Sequence, residues 1–292
     1  MKCVTYNIQY GTGLDGRYEI ARIADAVRGA DLICLQEVTR NAPQNGGRDM
    51  VAELREALPE YFAVYGPNFE ADMGSRLEKG RAVDRFLQFG NMVLSKSPIL
   101  LSRNLLLPRR RSYEGLNLQR GALEALVETP LGPVRFYSVH LDHRGPEERL
   151  AQVHFLKERL LGYPLEGGAL TGLSEMGYPE PPHPEAFVAM GDFNMLEGSP
   201  EYAGMAGRPD HEFGLPAVAT KAVDAAVRLA GDDARSDAMT TWVDPKRPAD
   251  ASRRKRIDYV FTAAVLAPRL SRLWVDREAV GSDHLPVWVE FA

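Results

Sequence analysis

Short apolar runs alternate with amphipathic segments along the whole chain. The apolar runs predict β-strands, because each is short, of apolar or alternating character, and bounded by polar or turn-forming residues. The predicted strands are MKCVTYNI (1–8), DLICLQEV (31–38), YFAVYG (61–66), FGNMVLSKSPI (89–99), QRGALEALVET (119–129), PVRFYSVHL (133–141), AFVAMGDFN (186–194), RIDYVFT (256–262) and PVWVEF (286–291). The short connection PLG between two of these runs predicts a hairpin.

Apolar residues with a helical period occupy the intervals between several of these runs. They predict helices at 17–28, 50–58 and 146–161, and one near 220–230. The helix at 146–161 is the best marked, because it begins with Pro146 and has acidic residues in its first turn. Strands that alternate with helices in this way indicate a mixed α/β fold.

Two segments, 66–88 and 162–184, are rich in polar residues, glycine and proline, and they predict long loops. No internal repeat, low-complexity segment or linker divides the chain. The residues with candidate chemistry are spread from position 7 to position 284, so one site would draw on both ends of the chain. The sequence therefore predicts a single domain over 1–292.

The composition adds only a few constraints to the predicted fold and function. The formal net charge is -5 over 292 residues, which argues mildly against a protein that grips long duplex nucleic acid. Cys3 and Cys34 lie inside apolar runs and are predicted to be buried free thiols. No apolar run reaches the roughly 18 residues of a membrane span, and no signal-peptide pattern is visible before the first predicted strand. We expect a cytoplasmic protein.

The informative polar residues stand where the predicted strands end. They are Asn7, Glu37, His140, Asp192, Asn194, Asp283 and His284. Polar groups at strand ends, beside loops, are where sheets build active sites. Several groups of metal-binding or proton-transfer type in such positions suggest that they converge.

The chemistry of this set suits the hydrolysis of a phosphate ester. A hard cation held by carboxylates such as Glu37 and Asp283 would neutralise the negative charge of the phosphate. Mg²⁺ fits because the candidate ligands are oxygen donors. Asp192 could take a proton from an attacking water, and the amide of Asn194 could orient that water or a phosphate oxygen. Imidazolium at His284 or His140 could stabilise the charge of the transition state.

The chain resembles the endonuclease/exonuclease/phosphatase superfamily in the segments TYNIQYG, DLICLQEV, GNMVLSK, SVHLDH, MGDFNML, RIDYVF and SDHLPV, which occur in the family's order. That superfamily includes pancreatic-type deoxyribonucleases, abasic-site endonucleases, inositol polyphosphate phosphatases and neutral sphingomyelinases. The resemblance implies a four-layer α/β sandwich in which two packed, mainly antiparallel β-sheets are flanked by helices. It also implies a phosphoric ester hydrolase that depends on Mg²⁺ or Mn²⁺.

The resemblance implies roles for the residues of these motifs. Glu37 is similar to the principal metal ligand, with Asn7 close by, and Asp283 to a second carboxylate of the metal site. Asp192 is similar to the residue that orients or deprotonates water, and Asn194 to its phosphate-binding neighbour.

The histidines are also assigned through the resemblance. His284 is similar to the histidine that contacts the phosphate, and Asp258 of RIDY to its carboxylate partner. His140 is similar to a second histidine that acts as an acid or stabilises the transition state.

Further residues are predicted with weaker support. The candidate substrate-binding residues are Asn91, Arg120 and Arg149. The remaining histidines, His143, His154, His183 and His211, are interpreted as surface or structural residues. The basic runs 109–111 and 253–256 are interpreted as solvated loops, although the second adjoins RIDY and would attract an anionic substrate if it borders the site.

Three functional hypotheses remain open at this stage. The first is a hydrolase of a small-molecule or lipid-headgroup phosphomonoester or phosphodiester. The second is a metal-dependent nuclease acting on DNA or RNA, which the acidic balance does not favour. The third is a catalytically inactive family member that serves as a binding module.

Overall fold

The computed structural model describes residues 1–292, in which fourteen β-strands and five α-helices are formed. The strands are β1 (Lys2–Asn7), β2 (Leu32–Arg40), β3 (Phe62–Asp72), β4 (Arg76–Glu78), β5 (Arg81–Val83), β6 (Phe86–Ser95), β7 (Ile99–Leu106), β8 (Gly121–Thr129), β9 (Gly132–His140), β10 (Phe187–Asp192), β11 (Val223–Asp224), β12 (Asp258–Thr262), β13 (Leu270–Val275) and β14 (Val287–Phe291). The helices are α1 (Ile20–Val27), α2 (Met50–Ala57), α3 (Pro146–Glu166), α4 (Pro200–Ala206) and α5 (Ala225–Ala230).

Twelve of the strands form two six-stranded sheets, and β4 and β5 form a separate two-stranded ribbon. The first sheet has the order β13-β14-β1-β2-β6-β3 and the second the order β11-β12-β10-β9-β8-β7. Only the pairs β1–β2 and β9–β10 are parallel, and all other neighbours are antiparallel. In each sheet the parallel pair is central, so its strands end at the same edge.

The apolar residues form three layers of core. One lies between the sheets, where Cys3 and Cys34 of the first sheet pack with Phe136 and Val188 of the second. A second core joins the outer face of the first sheet to α1 and α2, and a third joins the outer face of the second sheet to α3 and α4. The order helix, sheet, sheet, helix confirms the predicted four-layer α/β sandwich. Both cysteines are buried and free.

The prediction of a long loop at 66–88 is wrong. β3 continues to Asp72, β4 and β5 form a hairpin, and β6 begins at Phe86. The paired ends of β3 and β6 have many exposed or half-buried side chains. A strand that lacks a buried face needs no apolar alternation, so its sequence has the composition of a loop.

Other differences are smaller. α3 ends at Glu166 instead of 161, and the remainder of the segment to 184 is irregular apart from one 3₁₀ turn at Leu173–Met176. The edge strands β7 and β13 were not predicted, because most of their residues are only partly buried. No helix has the length and apolar character needed to span a membrane.

Candidate active site

The strand ends of both sheets face one cavity. In the second sheet, His140 and Asp192 are register partners at the ends of β9 and β10, and Asp192 is also paired with Asp258 at the start of β12. In the first sheet, Asn7 ends β1 and is paired with Gln36 of β2. Backbone pairing alone therefore places His140, Asp192 and Asp258 side by side.

Glu37 reaches this cavity through an irregularity of its strand. The register between β2 and β6 shifts between Leu35 and Val38, and Glu37 has a φ of 60°. This left-handed conformation is rare for a residue with a long side chain and is unfavourable by about 1–2 kcal/mol. The bulge interrupts strand alternation at Glu37, so that its carboxylate lines the cavity.

The GDFN segment forms a tight turn after β10. Oδ1 of Asp192 accepts the N–H of Asn194 at 2.9 Å, and the amide of Asn194 donates to the carbonyl of Leu141. Gly191 is required here, because a Cβ atom would lie 2.0 Å from the carbonyl oxygen of Val139. Asp192 is thereby held against β9, close to His140.

A small polar cluster joins the two sheets below the cavity. Nε2 of Gln36 donates to Ser138 Oγ at 2.9 Å, and Ser138 donates to the carbonyl of Leu35. Nδ2 of Asn91 donates to the carbonyls of Gly121 and Ser138, each at 2.9 Å. Asn91 is completely buried and does not line the cavity. The structure therefore does not place Asn91 as a substrate-binding residue, and its amide connects the sheets instead.

Asn7 bridges two carboxylates of the cavity. Its Nδ2 lies 3.0 Å from Oδ2 of Asp192 and 3.5 Å from Oε1 of Glu37. Its Oδ1 accepts the backbone N–H of Gln9, which fixes the orientation of the amide. The NH₂ group therefore faces the carboxylates, and Asn7 acts as a hydrogen-bond donor there. The assignment of Asn7 to the metal site stays a prediction, supported here by its contact with Glu37.

His284 and Asp258 form a buried pair. Nδ1 of His284 lies 2.9 Å from Oδ2 of Asp258, and Nε2 lies 3.8 Å from Oδ2 of Asp192. Although burial opposes it, the two carboxylates raise the pKa of His284 to about 10. His284 is therefore an imidazolium at neutral pH.

Asp192 is the carboxylate between these groups. Burial raises the pKa of Asp192 to about 7, against the opposite effect of the neighbouring His284 charge. Burial likewise raises the pKa of Glu37. A carboxyl group with a pKa near 7 can both accept and release a proton at physiological pH.

His140 differs from His284 in its charge. Its ring is buried, and Nη1 of Arg120 lies 2.7 Å from Nε2 and 3.2 Å from Nδ1. Burial and the Arg120 charge hold the pKa of His140 well below its usual range. The expected imidazolium therefore fits His284 but does not fit His140, which is neutral. The fixed positive charge at this position is that of Arg120.

These residues surround a cavity of about 720 Å³. Its walls also contain residues from the loops around the strand ends. The lining includes Tyr10, Phe89, Leu116, Leu118, Arg120, His143, Arg144, Arg149, Leu196, Trp242, Lys255 and Ile257. Arg149 lies in the wall, but it forms an ion pair with the buried carboxylate of Glu201 at 3.1 Å, which favours a structural role.

Two residues that sequence reasoning missed support the site carboxylates. Thr241 donates to Oδ2 of Asp258 at 2.6 Å, and the indole N–H of Trp242 donates to Oδ2 of Asp283 at 3.1 Å. Both lie in the stretch 198–252, which has little apolar periodicity. The only available signal was a Thr-Trp pair whose side chains can both donate hydrogen bonds.

The two basic runs are mostly engaged with the protein itself. Arg110 pairs with Glu147, and Arg253 pairs with Asp244. Arg256 is paired with the buried Asp224. Lys255 is the exception, because it lines the cavity and lies over the Trp242 ring. Only one residue of these runs therefore borders the site.

The carboxylate oxygens of the cavity are suitable ligands for a hard divalent cation, although only a few carboxylates are present. No group of three or more His, Cys, Asp or Glu side chains is arranged to hold a metal ion. Glu37 and Asp283 line the same cavity, and the charge of Asp283 contributes to raising the pKa of Glu37. Mg²⁺ is commonly bound by one or two carboxylates, with water and substrate phosphate completing the shell. Glu37 and Asp283 meet that requirement.

A model described as the Endonuclease/Exonuclease/phosphatase family matches residues 4–284. The chain therefore belongs to this family, whose members are phosphoesterases or nucleases. A search of curated proteins found no match.

Solved structures share the fold over the full chain. An endonuclease/exonuclease/phosphatase from Beutenbergia cavernae has a TM-score of 0.68 and 22% identity, covering 100% of this chain and 72% of that one. D. rerio TDP2 complexed with single-strand DNA product has a TM-score of 0.63 and 18% identity, covering 100% and 98%. The mannosyl-6-phosphatase of Bacteroides thetaiotaomicron has a TM-score of 0.59 and 19% identity, covering 100% and 99%. At these identities the similarity concerns the fold.

Proposed function

We propose that this protein is a divalent-metal-dependent hydrolase of phosphate esters. The observation that carries the proposal is the convergence of Glu37, Asp192, Asp283 and His284 on one cavity, with Asp258 directly behind His284. Carboxylates, a general base and a fixed imidazolium are the groups that phosphoester hydrolysis requires. Membership of the family supports the same reaction class.

Glu37 and Asp283 are the residues that would hold the metal ion. When bound, a divalent cation supplies positive charge that offsets the charge of the phosphate and assists the departure of the leaving oxygen. Trp242 keeps Asp283 in position through its indole N–H. Asn7 restrains Glu37 from the other side.

Asp192 is the proposed base for the attacking water. Its raised pKa makes it basic enough to accept a proton near neutral pH. Asn7 donates to Oδ2 and the N–H of Asn194 donates to Oδ1, so both oxygens of Asp192 are held in place. The side-chain amide of Asn194 donates to the carbonyl of Leu141, which leaves its oxygen available to orient the water.

His284 is the proposed source of positive charge beside the phosphorus. Asp258 holds the proton on Nδ1, and Thr241 holds Asp258. The Nε2–H of the imidazolium then remains free to donate to a phosphate oxygen or to the leaving oxygen. His140 is proposed as a neutral hydrogen-bonding partner in the same cavity.

A small molecule or a lipid headgroup is the substrate class that we favour. The cavity of about 720 Å³ has the size of a small-molecule site. The net charge of -5 and the internal pairing of the basic runs do not suit an extended polyanion.

Assays with p-nitrophenyl phosphate and bis(p-nitrophenyl) phosphate, each with added Mg²⁺ or Mn²⁺, test the proposal. We expect metal-dependent turnover that Glu37→Ala or His284→Ala lowers by roughly 10²-fold or more. The matched controls are Glu158→Ala and His211→Ala, which alter exposed residues and should leave turnover unchanged. Full activity of Glu37→Ala would overturn the assignment.

Two further measurements separate the alternatives. A nuclease should bind DNA or RNA with an affinity that falls steeply with salt, whereas a small-molecule hydrolase should show a weaker dependence. An inactive binding module should fail to turn over any phosphoester and should not bind Mg²⁺ or Mn²⁺ in a calorimetric titration, even with inorganic phosphate present.

A further inference from the structure

Arg120 is a buried cation that has no carboxylate in contact with it. The residue lies immediately before β8, is 3% exposed and lines the cavity. Its guanidinium contacts the rings of His140 and His143 instead of an acidic side chain. The Nε–H group is buried without a hydrogen-bond partner. The Phe89 ring, 5.8 Å from Cζ, offers only a weak cation–π contact.

The charge of Arg120 acts on the Glu37 carboxylate, opposing the burial that raises the pKa of Glu37, but the guanidinium forms no ion pair and is incompletely compensated. Removing a charge from water is unfavourable by several kcal/mol unless an opposite charge and hydrogen bonds replace the solvent. Arg120 keeps N–H groups that its two histidine contacts do not use, because a guanidinium has five of them. An anionic oxygen in the cavity would supply the missing compensation.

His143 contributes a second hydrogen-bond donor, and its contact with Arg120 determines which ring nitrogen carries the proton. Nη2 of Arg120 lies 2.8 Å from Nδ1 of His143. A guanidinium can only donate, so Nδ1 must accept, and a neutral ring must then carry its proton on Nε2. Burial and the Arg120 charge hold the pKa of His143 below its usual value, which keeps the ring neutral.

The unused Nε2–H of His143 is accessible to a ligand. The side chain is 41% exposed, and the residue belongs to the lining of the cavity that contains Glu37, Asp192 and His284. The charged groups around its ring are Arg120, Asp142, Arg144 and Arg149. Arg149 is already paired with Glu201, but Arg120 and Arg144 outnumber Asp142, so an anion is favoured at this wall of the cavity.

We propose that Arg120 and His143 form an anion-binding subsite that holds a nonbridging oxygen of the substrate phosphate. This inference rests on the proposed function, because it names how that site recognises the phosphate. It assigns a binding role to His143, which the sequence pattern indicates only as a surface or structural histidine. Recognition at this subsite depends on residues of the second sheet and of the turn after β9, whereas the proposed metal ligands lie in the first sheet and the segment before β14.

The test combines binding of inorganic phosphate with steady-state kinetics. His143→Ala removes the Nε2–H donor, and His143→Gln retains a donor of similar reach. Inorganic phosphate is titrated calorimetrically with and without Mg²⁺, and KM and kcat are measured with p-nitrophenyl phosphate. His211→Ala is the matched control, because His211 is exposed and its only acidic neighbour is Asp210 at 3.8 Å.

We expect His143→Ala to raise the Kd for inorganic phosphate and KM about tenfold, the loss of one hydrogen bond to a charged group. The value of kcat and the Mg²⁺ concentration for half-maximal activity should change by less than about threefold, because no metal ligand is altered. His143→Gln should recover most of the lost affinity, and His211→Ala should behave as the wild type.

The subsite is refuted if His143→Ala changes the melting temperature while the Kd for phosphate and KM remain within twofold of the wild type, since His143 would then be only a structural partner of Arg120. Phosphate binding that depends on His143, in a protein that hydrolyses no phosphoester, would support the subsite and refute the proposed function. Hydrolysis with phosphate affinity that is indifferent to His143 would refute the subsite alone.

Discussion

At the scale of single residues, the two buried histidines differ in charge because their neighbours differ. His284 has the carboxylates of Asp258 and Asp192 beside it, and they raise its pKa to about 10. His140 also has Asp192 beside it, 3.4 Å from Nε2, but burial and the guanidinium of Arg120 lower its pKa. The same residue type thus supplies a cation in one place and a neutral ring in the other.

The raised pKa of His284 predicts how stability depends on pH. Its folded-state pKa of about 10 exceeds the ordinary 6.5, so the stability it contributes is complete below pH 6.5 and is lost as pH rises through 10. Asp258→Asn removes the nearest charge that raises this pKa. We expect the resulting loss in Tm to be largest near pH 6 and to shrink toward pH 10.

Thermal unfolding at pH steps between 6 and 10 measures this difference. The matched control is Asp232→Asn, because the side chain of Asp232 is 99% exposed and its replacement should change Tm equally little at every pH. A Tm difference for Asp258→Asn that grows with rising pH would contradict the assigned charge of His284.

Several of the polar residues that line the cavity could be predicted from the sequence, but their charges and orientations could not. Glu37, Asp192 and His284 stand at or next to the ends of apolar runs, and that position is visible in one dimension. The charge of His140 depends on Arg120, which is twenty positions earlier. The orientation of Asn7 depends on the N–H of Gln9. Such contacts leave no periodic pattern in the sequence.

At the scale of elements, the strand β2 contributes its site residue through a bulge. Glu37 occupies a left-handed conformation within an otherwise extended strand. Strain of this kind persists where the surrounding structure holds it in place, and it often coincides with function. The arrangement aims a carboxylate into the cavity at the expense of local stability.

A comparison of Glu37→Gly with Glu37→Gln separates the effect of the lost carboxylate on stability from the effect of the backbone strain. Both variants lose the carboxylate, but only Gly is free of the steric penalty at a φ of 60°. The relief of about 1–2 kcal/mol is reduced by the greater conformational freedom of unfolded Gly, about 0.5–1 kcal/mol. We expect Glu37→Gly to exceed Glu37→Gln in free energy of unfolding by about 0.5–1 kcal/mol, with both variants inactive.

Urea denaturation measures this difference, and the same pair of substitutions at Glu158 provides the control. Glu158 lies within α3, where Gly should be less stable than Gln by about 1 kcal/mol. A lower free energy of unfolding for Glu37→Gly than for Glu37→Gln would show that the backbone at this position is not strained.

The central strands and four of the five helices (all but α4) could be predicted, because each has an apolar face that packs in a core. The extension of β3 and β6 and the hairpin β4–β5 could not, since their side chains are largely exposed. The edge strands β7 and β13 were not predicted for the same reason. Apolar periodicity in a sequence reflects the burial of side chains. An element that is held mainly by backbone pairing therefore leaves no such pattern.

At the scale of the whole molecule, the two sheets must keep a fixed relation for the site to form. Glu37 belongs to one sheet, and His140 and Asp192 belong to the other. An apolar interface resists separation but fixes sliding less strictly than directional bonds do. Gln36, Asn91 and Ser138 provide such bonds between the sheets, directly below the cavity.

Asn91→Ala tests this polar cluster. The substitution leaves the buried carbonyls of Gly121 and Ser138 without their donor, so the free energy of unfolding should fall by about 2–4 kcal/mol. Because Gly121 adjoins Arg120 and Ser138 is two residues from His140, we also expect kcat to fall in the fraction that remains folded.

The matched control is Asn41→Ala, which removes one hydrogen bond to the carbonyl of Phe86 within the first sheet, in a half-buried position. Urea denaturation and activity assays should show a smaller loss of stability and no change in kcat for that variant. Equal behaviour of the two asparagine variants would mean that Asn91 does not align the sheets.

The position of β1 between β14 and β2 has a consequence for the synthesis of the protein. On the ribosome, Glu37 and Asn7 emerge early, but Asp283 and His284 emerge only after the second sheet has been translated. β1 lacks its antiparallel neighbour until residues 287–291 have left the exit tunnel. A nascent chain can thus form most of its cores before the site is complete, so the proposed hydrolytic activity should arise only after residues 283–291 have emerged.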